Sequence, residues 1–75
     1  MKKVLYVGKE EFTEESAKNI LDEYGEYELF IYMIENEDYD LLDKFVSECN
    51  IICYNHDVRD ILDRYDVDDK ILVEM

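Results

Sequence analysis

The sequence predicts a small α/β domain in which a four-stranded, mostly parallel sheet has helices on both faces. Two observations predict it. Four short apolar runs rich in valine, isoleucine and tyrosine alternate with three segments whose apolar residues recur at i, i+3, i+4 and i+7. The first pattern is typical of buried strands and the second of one face of a helix. Their alternation gives the order βαβαβαβ, which favours parallel strands joined by right-handed crossovers.

The four predicted strands are the runs VLYV, LFIYMI, IICY and ILV. They occupy residues 4–7, 29–34, 51–54 and 71–73. Each run is apolar at consecutive positions, so both faces of the sheet need a cover of helices. The doubly wound order 2-1-3-4, with one helix on one face and two on the other, is the preferred topology. It places LFIYMI at an edge, where an apolar strand invites pairing with another chain, so we expect a homodimer through residues 29–34.

The three predicted helices share one spacing of apolar residues. Their apolar faces are Ala17, Ile20, Leu21 and Tyr24; Leu42, Phe45, Val46 and Cys49; and Val58, Ile61, Leu62 and Tyr65. Thr13, Asn36 and Asn55 precede these segments, and each side chain can accept a hydrogen bond from a free N–H group of the first turn. Gly25 and Asn50 are suited to end the first two helices.

The length of the chain bounds both its domain count and its chemistry. The 75 residues are predicted to form a single compact domain spanning residues 1–75. A domain of this size buries only about 60% of its unfolded surface, which leaves little room for a deep catalytic cleft beside a full core. The sequence contains neither a serine nucleophile elbow, nor a catalytic Cys–His spacing, nor an HExxH zinc motif. We therefore expect a protein that is not an enzyme and needs no cofactor.

The apolar runs and the cysteines both favour a cytoplasmic location. No apolar run approaches the roughly 20 residues of a membrane helix, and the opening MKKVLYVGKEEF does not resemble a signal peptide. In that compartment Cys49 and Cys53 are expected to be ordinary reduced, buried thiols. Three residues separate them, whereas redox and zinc pairs are separated by two.

The charge of the chain restricts its partners. It has 21 acidic residues against 8 basic ones, and its formal net charge is −13. A field of that sign repels nucleic acid and anionic membranes and favours encounter with basic proteins. After the first predicted strand, the stretch GKEEFTEE has one glycine and four acids, so phosphate binding is not expected there and Gly8 is expected to form only a turn.

Two acidic groups with interspersed tyrosines form the candidate partner-binding surface. The candidates are Glu15, Asp22, Glu23, Tyr24, Glu26, Tyr27, Asp57, Asp60, Asp63, Tyr65 and Asp66. Carboxylates at helical spacing can stand where backbone phosphates would stand, and tyrosine is a rigid anchor at interfaces. The expected function is an acidic protein-binding module. In its sharper form it is a phage-type inhibitor that mimics nucleic acid and blocks a basic nucleic-acid-binding host or defence protein. The simpler interpretation is that the acids only keep the protein soluble.

The stretch CNIICYNHD supports an alternative function at the ends of the strands. Asn55, His56 and Asp57 follow the third predicted strand, and Glu35 and Asn36 follow the second. Ligands bind beyond the carboxyl ends of strands in open parallel sheets, and imidazole and carboxylate can share a metal or a proton. The alternative is therefore a small-ligand or metal-binding regulatory domain. The simpler interpretation is that Asn55 caps the third helix, Asp57 favours its positive end and His56 is a solvated turn residue.

Overall fold

The computed structural model describes residues 1–35 and 39–75, and in these ranges it contains four strands and three α-helices. The strands are β1 (Lys2–Gly8), β2 (Tyr27–Met33), β3 (Ile51–Tyr54) and β4 (Ile71–Glu74). The helices are α1 (Glu14–Tyr24), α2 (Tyr39–Glu48) and α3 (Arg59–Leu62), and a short 3₁₀ turn, His56–Val58, precedes α3. Within the described ranges, no helix has both the length and the apolar character needed to cross a membrane.

The sheet confirms the predicted topology. Its order is β2-β1-β3-β4, and all three strand pairs are parallel. Lys2 pairs with Tyr27 and Lys3 with Glu28, so β1 and β2 both begin two residues before the apolar runs that predicted them. The reason is that backbone pairing needs no apolar side chain, and the ladder continues into the charged residues at the exposed end of the sheet.

The two faces of the sheet have separate cores. One face, here called the one-helix face, is covered by α1, and the other, the two-helix face, by α2 and α3. The fully buried members of the first core are Val4, Tyr6, Ile20, Ile51 and Cys53. Those of the second are Leu5, Val7, Tyr32, Leu42, Val46, Cys49, Ile52, Val58 and Leu62. The predicted division into one helix and two is confirmed.

The ends of α1 are those that the sequence predicts. The Thr13 side chain accepts a hydrogen bond from the Ser16 backbone N–H at 3.1 Å, which satisfies one of the free donors of the first turn. At the other end, the Gly25 N–H donates to the Leu21 carbonyl oxygen at 2.9 Å, and Gly25 has φ of 82° and ψ of −160°. Only glycine adopts that conformation readily, so Gly25 ends the helix for a steric reason.

The prediction that the Asn55 side chain caps the third helix is wrong. Asn55 has extended backbone angles at the N-cap position, but its side chain makes no capping hydrogen bond. Its carbonyl oxygen instead accepts from the Val58 N–H at 3.0 Å, which closes the 3₁₀ turn, and its Oδ1 lies 2.9 Å from the Tyr6 hydroxyl. The Asn36 cap lies outside the described residues.

The third helix is also shorter than its predicted apolar face. Beyond Leu62, the N–H group of Arg64 donates to the Ile61 carbonyl oxygen at 3.2 Å, and that of Tyr65 donates to the Leu62 carbonyl oxygen at 3.0 Å. These acceptors are three residues earlier instead of four, so the helix tightens and ends. The apolar spacing still predicts burial correctly, because Val58 and Leu62 are fully buried and Tyr65 packs against the same core.

Gly8 does not simply form a turn, as the sequence suggested. It is the last residue of β1 and pairs with Met33. A Cβ atom at this position would meet Asn55 Oδ1 and the Tyr6 hydroxyl. That hydroxyl donates to the Glu10 carbonyl oxygen at 2.7 Å as well as toward Asn55. Glycine is therefore required because the Tyr6 and Asn55 side chains occupy the space that a Cβ atom would need.

Candidate functional site

The acidic side chains of α1 point to solvent without basic partners. Glu15, Asp22 and Glu23 are all exposed. Among the described residues, no ion pair engages any of the three. The helix has eleven residues and a firm cap, so these carboxylates stand on a rigid support. This surface therefore presents uncompensated negative charge.

The tyrosine side chains near α1 interact mainly with other residues of this protein and present little surface to a partner. The Tyr27 hydroxyl donates to the Ala17 carbonyl oxygen at 3.1 Å and so joins β2 to α1. Tyr24 is half-buried, and the Lys2 ammonium lies 5.5 Å from the centre of its ring. Burial raises the pKa of both phenols, and Glu23 adds to the rise in the pKa of Tyr24. Glu26 is exposed between them.

The second acidic group surrounds α3 and is partly compensated. Asp57, Asp60, Asp63 and Asp66 are exposed. Asp63 Oδ1 lies 3.4 Å from Arg59 Nε, and Asp57 Oδ2 lies 3.8 Å from Lys9 Nζ. Tyr65 is half-buried, and burial, followed by the charge of Asp43, raises its pKa.

The structure places the two acidic groups on opposite faces of the sheet. Ile20 of α1 packs with Val4 and Tyr6, whereas Leu62 of α3 packs with Leu5 and Val7. Side chains alternate between the faces of a strand, so α1 and α3 lie on opposite sides of β1. No single flat partner can contact all eleven candidate residues at once.

A groove runs between α1 and the edge strand β4 on the one-helix face. Its volume is about 330 Å³. Its lining includes Glu15, Ile20, Glu23, Val73, Glu74 and Met75. The candidate residues predicted from the sequence do not include the β4 side of this α1–β4 groove. A signal was present, since Ile71, Val73 and Met75 alternate with other residues and so share one side of a strand.

The strand ends form a second, open depression of about 380 Å³. It is lined by Lys9, Glu10, Asn55, His56 and Asp57. The structure thus brings together three of the five residues predicted for a ligand site. Lys9 and Glu10 were missed, although the predicted neighbourhood of the first and third strands could have identified them.

Of the remaining two predicted ligand residues, Glu35 is described and does not line that depression. Glu35 lines a separate depression of about 270 Å³ with Ile34 and Lys9. Asn36 lies outside the described residues. Lys9 borders both depressions and is the residue that connects them.

The chemistry available at the strand ends is that of solvated ion pairs. His56 Nδ1 lies 2.8 Å from Glu74 Oε1, but the His56 side chain is 89% exposed. Asn55 is engaged by the Tyr6 hydroxyl. In residues 1–35 and 39–75, no group of three or more His, Cys, Asp or Glu side chains is arranged to hold a metal ion. Exposed pairs of this kind are screened by water and are worth little energy.

The two cysteines are free and fully buried, one on each face of the sheet. Cys49 belongs to the core under α2, and Cys53 to the core under α1. Burial raises the pKa of each thiol to about 11. Both are therefore neutral near pH 7, and a thiol in that state is a poor nucleophile and a poor metal ligand.

No protein-family model matches the sequence, and neither a curated protein nor a solved structure shows significant similarity to it.

Proposed function

We propose that this protein is a non-enzymatic acidic module that binds a basic protein partner through the surface of α1. The observation that supports the proposal best is the exposure of Glu15, Asp22 and Glu23, none of which forms an ion pair with a described residue. Like charges on a small domain repel one another and oppose folding. A basic partner would relieve that repulsion on binding, and attraction between opposite charges accelerates association.

The sharper form of the proposal is mimicry of nucleic acid. A partner whose own function is to bind nucleic acid has a basic groove, and carboxylates on a rigid helix can occupy the positions of phosphates in such a groove. The protein would then be a phage-type inhibitor of a host or defence protein, acting in the cytoplasm. The proposal rests on charge and exposure, so it predicts a steep dependence on salt.

A pair of matched charge reversals tests which surface binds. The variants Asp22→Lys/Glu23→Lys on α1 and Asp60→Lys/Asp63→Lys on α3 each replace two negative charges by two positive ones. Tagged proteins are used to capture partners from nuclease-treated host lysate, with elution by a salt gradient and identification by mass spectrometry. We expect the α1 variant to lose a basic partner that the unaltered protein releases at moderate salt, while the α3 variant retains it.

The same experiment can contradict the proposal. Equal loss in both variants would show that net charge matters and the α1 surface does not. Retention of the same partner by both variants would show that these carboxylates do not bind it. Circular dichroism of both variants establishes that they are folded.

A second candidate function is a ligand-binding regulatory domain at the strand ends. It is favoured by the convergence of Lys9, Asn55, His56 and Asp57 on one depression at the edge where parallel sheets bind ligands. A ligand that binds there should raise the melting temperature. A thermal-shift screen of divalent cations and nucleotides tests it, with His56→Ala as the matched control; a shift that survives in the variant would place the ligand elsewhere.

We also propose a homodimer through the edge strand β2. Its Ile31 side chain is 49% exposed on the one-helix face, and β2 has a neighbour in the sheet on one side only. Two copies with a formal charge of −13 repel each other, so association should increase with salt. Size-exclusion chromatography with light scattering at low and high salt measures it, and a monomer under both conditions would contradict it.

A further inference from the structure

The one-helix face leaves apolar side chains of β4 only partly covered. The helix α1 lies over the two central strands, because its Ile20 shares a core with residues of β1 and β3. Ile71 of β4 is 48% exposed, and Met75, which directly follows β4, is 37% exposed. Val73 is half-buried between them and lines the α1–β4 groove with Ile20. The floor of this groove is therefore apolar.

The α1 wall of the groove has negative charge along its length. Glu15 and Glu23 line it, and Asn19 lies between them. These residues are four apart, so they follow one side of the helix, and the two carboxylates are separated by about 12 Å along the axis. Neither carboxylate forms an ion pair with a described residue. An apolar floor beside two unpaired carboxylates complements a segment that is both apolar and basic.

We infer that the α1–β4 groove is the docking site for a basic amphipathic helix of the protein partner. Apolar side chains of that helix pack on Val73 and Met75. Lys or Arg side chains about two turns apart on the same helix face Glu15 and Glu23. The inference rests on the proposed function and deepens it by naming the surface and the chemistry of the segment that it binds.

A helix fits the groove better than a second copy of this chain does. The opposite face of the same sheet accommodates two helices side by side, so a second helix beside α1 matches the packing that this sheet already supports. Helices bind apolar grooves by side chains at positions i, i+4 and i+7. A second copy would bring a formal charge of −13 toward Glu15 and Glu23, which disfavours it.

Two synthetic peptides of identical composition provide the probe. In one, leucines at positions i, i+4 and i+7 form one helical face and are flanked by lysines. In the other, the same residues are scrambled so that the leucines do not share a face. Fluorescence anisotropy measures the dissociation constants at low salt. We expect the patterned peptide to bind roughly tenfold more tightly than the scrambled one, since only it can bury its leucines together.

Matched variants locate the site without changing charge. Val73→Thr/Met75→Gln removes apolar surface from the groove, and Leu21→Gln/Tyr39→Ser removes exposed apolar surface elsewhere, on α1 and at the start of α2. We expect the first pair to weaken the patterned peptide roughly tenfold and the second by less than about twofold. Thermal denaturation establishes that both are folded.

The outcomes separate this inference from the proposed function. Equal binding of the two peptides, or equal effects of the two apolar variant pairs, would contradict docking of a helix in the α1–β4 groove. The proposed binding of a basic partner by charge would stand. Loss of both peptides in Glu15→Lys/Glu23→Lys, together with a preference for the patterned peptide in the unaltered protein, would support both. Failure of both peptides to bind at low salt would overturn both. Sedimentation showing that Val73→Thr/Met75→Gln abolishes a dimer would identify a second copy as the occupant and overturn the partner helix.

Discussion

The two faces of the sheet differ in how completely they are covered. Under α2 and α3, the strand residues Leu5, Val7 and Ile52 are fully buried. Under α1, the central strands are equally well buried, but Ile31 and Ile71 on the two edge strands remain about half exposed. A single helix is about 10 Å wide and strands are about 4.8 Å apart, so one helix covers little more than two strands.

The difference separates the part of the molecule that stabilises the fold from the part that is free to bind. The two-helix face leaves the edge-strand residues Phe30 and Leu72 partly buried, so it offers less apolar surface than the one-helix face, where Ile31 and Ile71 are about half exposed. The uncompensated acids of α1 lie on that same side. We therefore expect substitutions on the two-helix face to change stability and substitutions on the one-helix edges to change binding.

The largest effect expected is the loss of stability on truncating the two-helix core. Leu42 is fully buried, and Leu42→Ala should lower the free energy of unfolding by about 2–5 kcal/mol because it leaves a cavity. Ile71→Ala, at the edge of the other face, should cost about 1 kcal/mol or less since its side chain is already half solvated. Urea denaturation measures both. Similar losses would contradict the distinction between the faces.

The next effect concerns the two glycines. Gly8→Ala should cost about 1–3 kcal/mol because its Cβ would meet Asn55 Oδ1 and the Tyr6 hydroxyl. Gly25→Ala should cost a similar amount for another reason, its φ of 82°. Adding Asn55→Ala should relieve part of the cost at Gly8 and none at Gly25. Unfolding free energies of the single and double variants test this, and strictly additive effects at Gly8 and Asn55 would refute the close approach.

A further effect should appear only in alkaline solution, and it should have the same direction on the two faces. The pKa of Cys49 and of Cys53 is raised from 9.0 to about 11 in the folded protein, with burial as the main cause. The unfolded chain therefore loses these protons first, so stability is complete below pH 9 and falls as the pH rises to about 11. Cys49→Ala and Cys53→Ala should each flatten that decline. Unfolding followed from pH 8 to 11 measures it; an unchanged slope in either variant would contradict the assignment.

The smallest effect expected is at the strand ends. His56→Ala removes a contact of 2.8 Å to Glu74, but the His56 side chain is 89% exposed. Exposed ion pairs contribute roughly 0.2–1 kcal/mol, so stability should change by no more than that. The comparison is with Leu42→Ala under the same conditions. A loss as large as that of the core variant would mean that the strand-end cluster holds β4 in place.

The sequence predicted most of the fold, because hydrophobic period and chain order decide it. The alternation of strand and helix patterns led to the correct sheet order and to the correct division of helices. The right-handed crossover rule applied to that order also places α1 opposite α2 and α3. The sequence therefore also contains the information that the two acidic groups lie on opposite faces of the sheet, because each group belongs to a helix whose face the crossover rule assigns.

What the sequence could not predict depends on contacts between distant residues. Asn55 has the chemistry of a helix cap, but Tyr6, 49 positions earlier, provides a competing partner for its side chain. Gly8 looks like a turn residue until that contact is known. The α1–β4 groove likewise forms only because α1 and β4 lie side by side in the fold. Local sequence patterns do not predict the distance between these two elements.

Because β1 lies in the middle of the sheet, it pairs with β2, which follows it closely in the chain, and with β3, which is made considerably later. The unit β1–α1–β2 is complete at Met33, and it covers only one face of β1. Leu5 and Val7 face the other side and gain their cover only when α2 and α3 have been made. A nascent chain of which residues 1–33 have emerged therefore exposes an apolar sheet surface, and chaperone binding to ribosome-stalled chains should peak there and decline once α2, β3 and α3 have emerged.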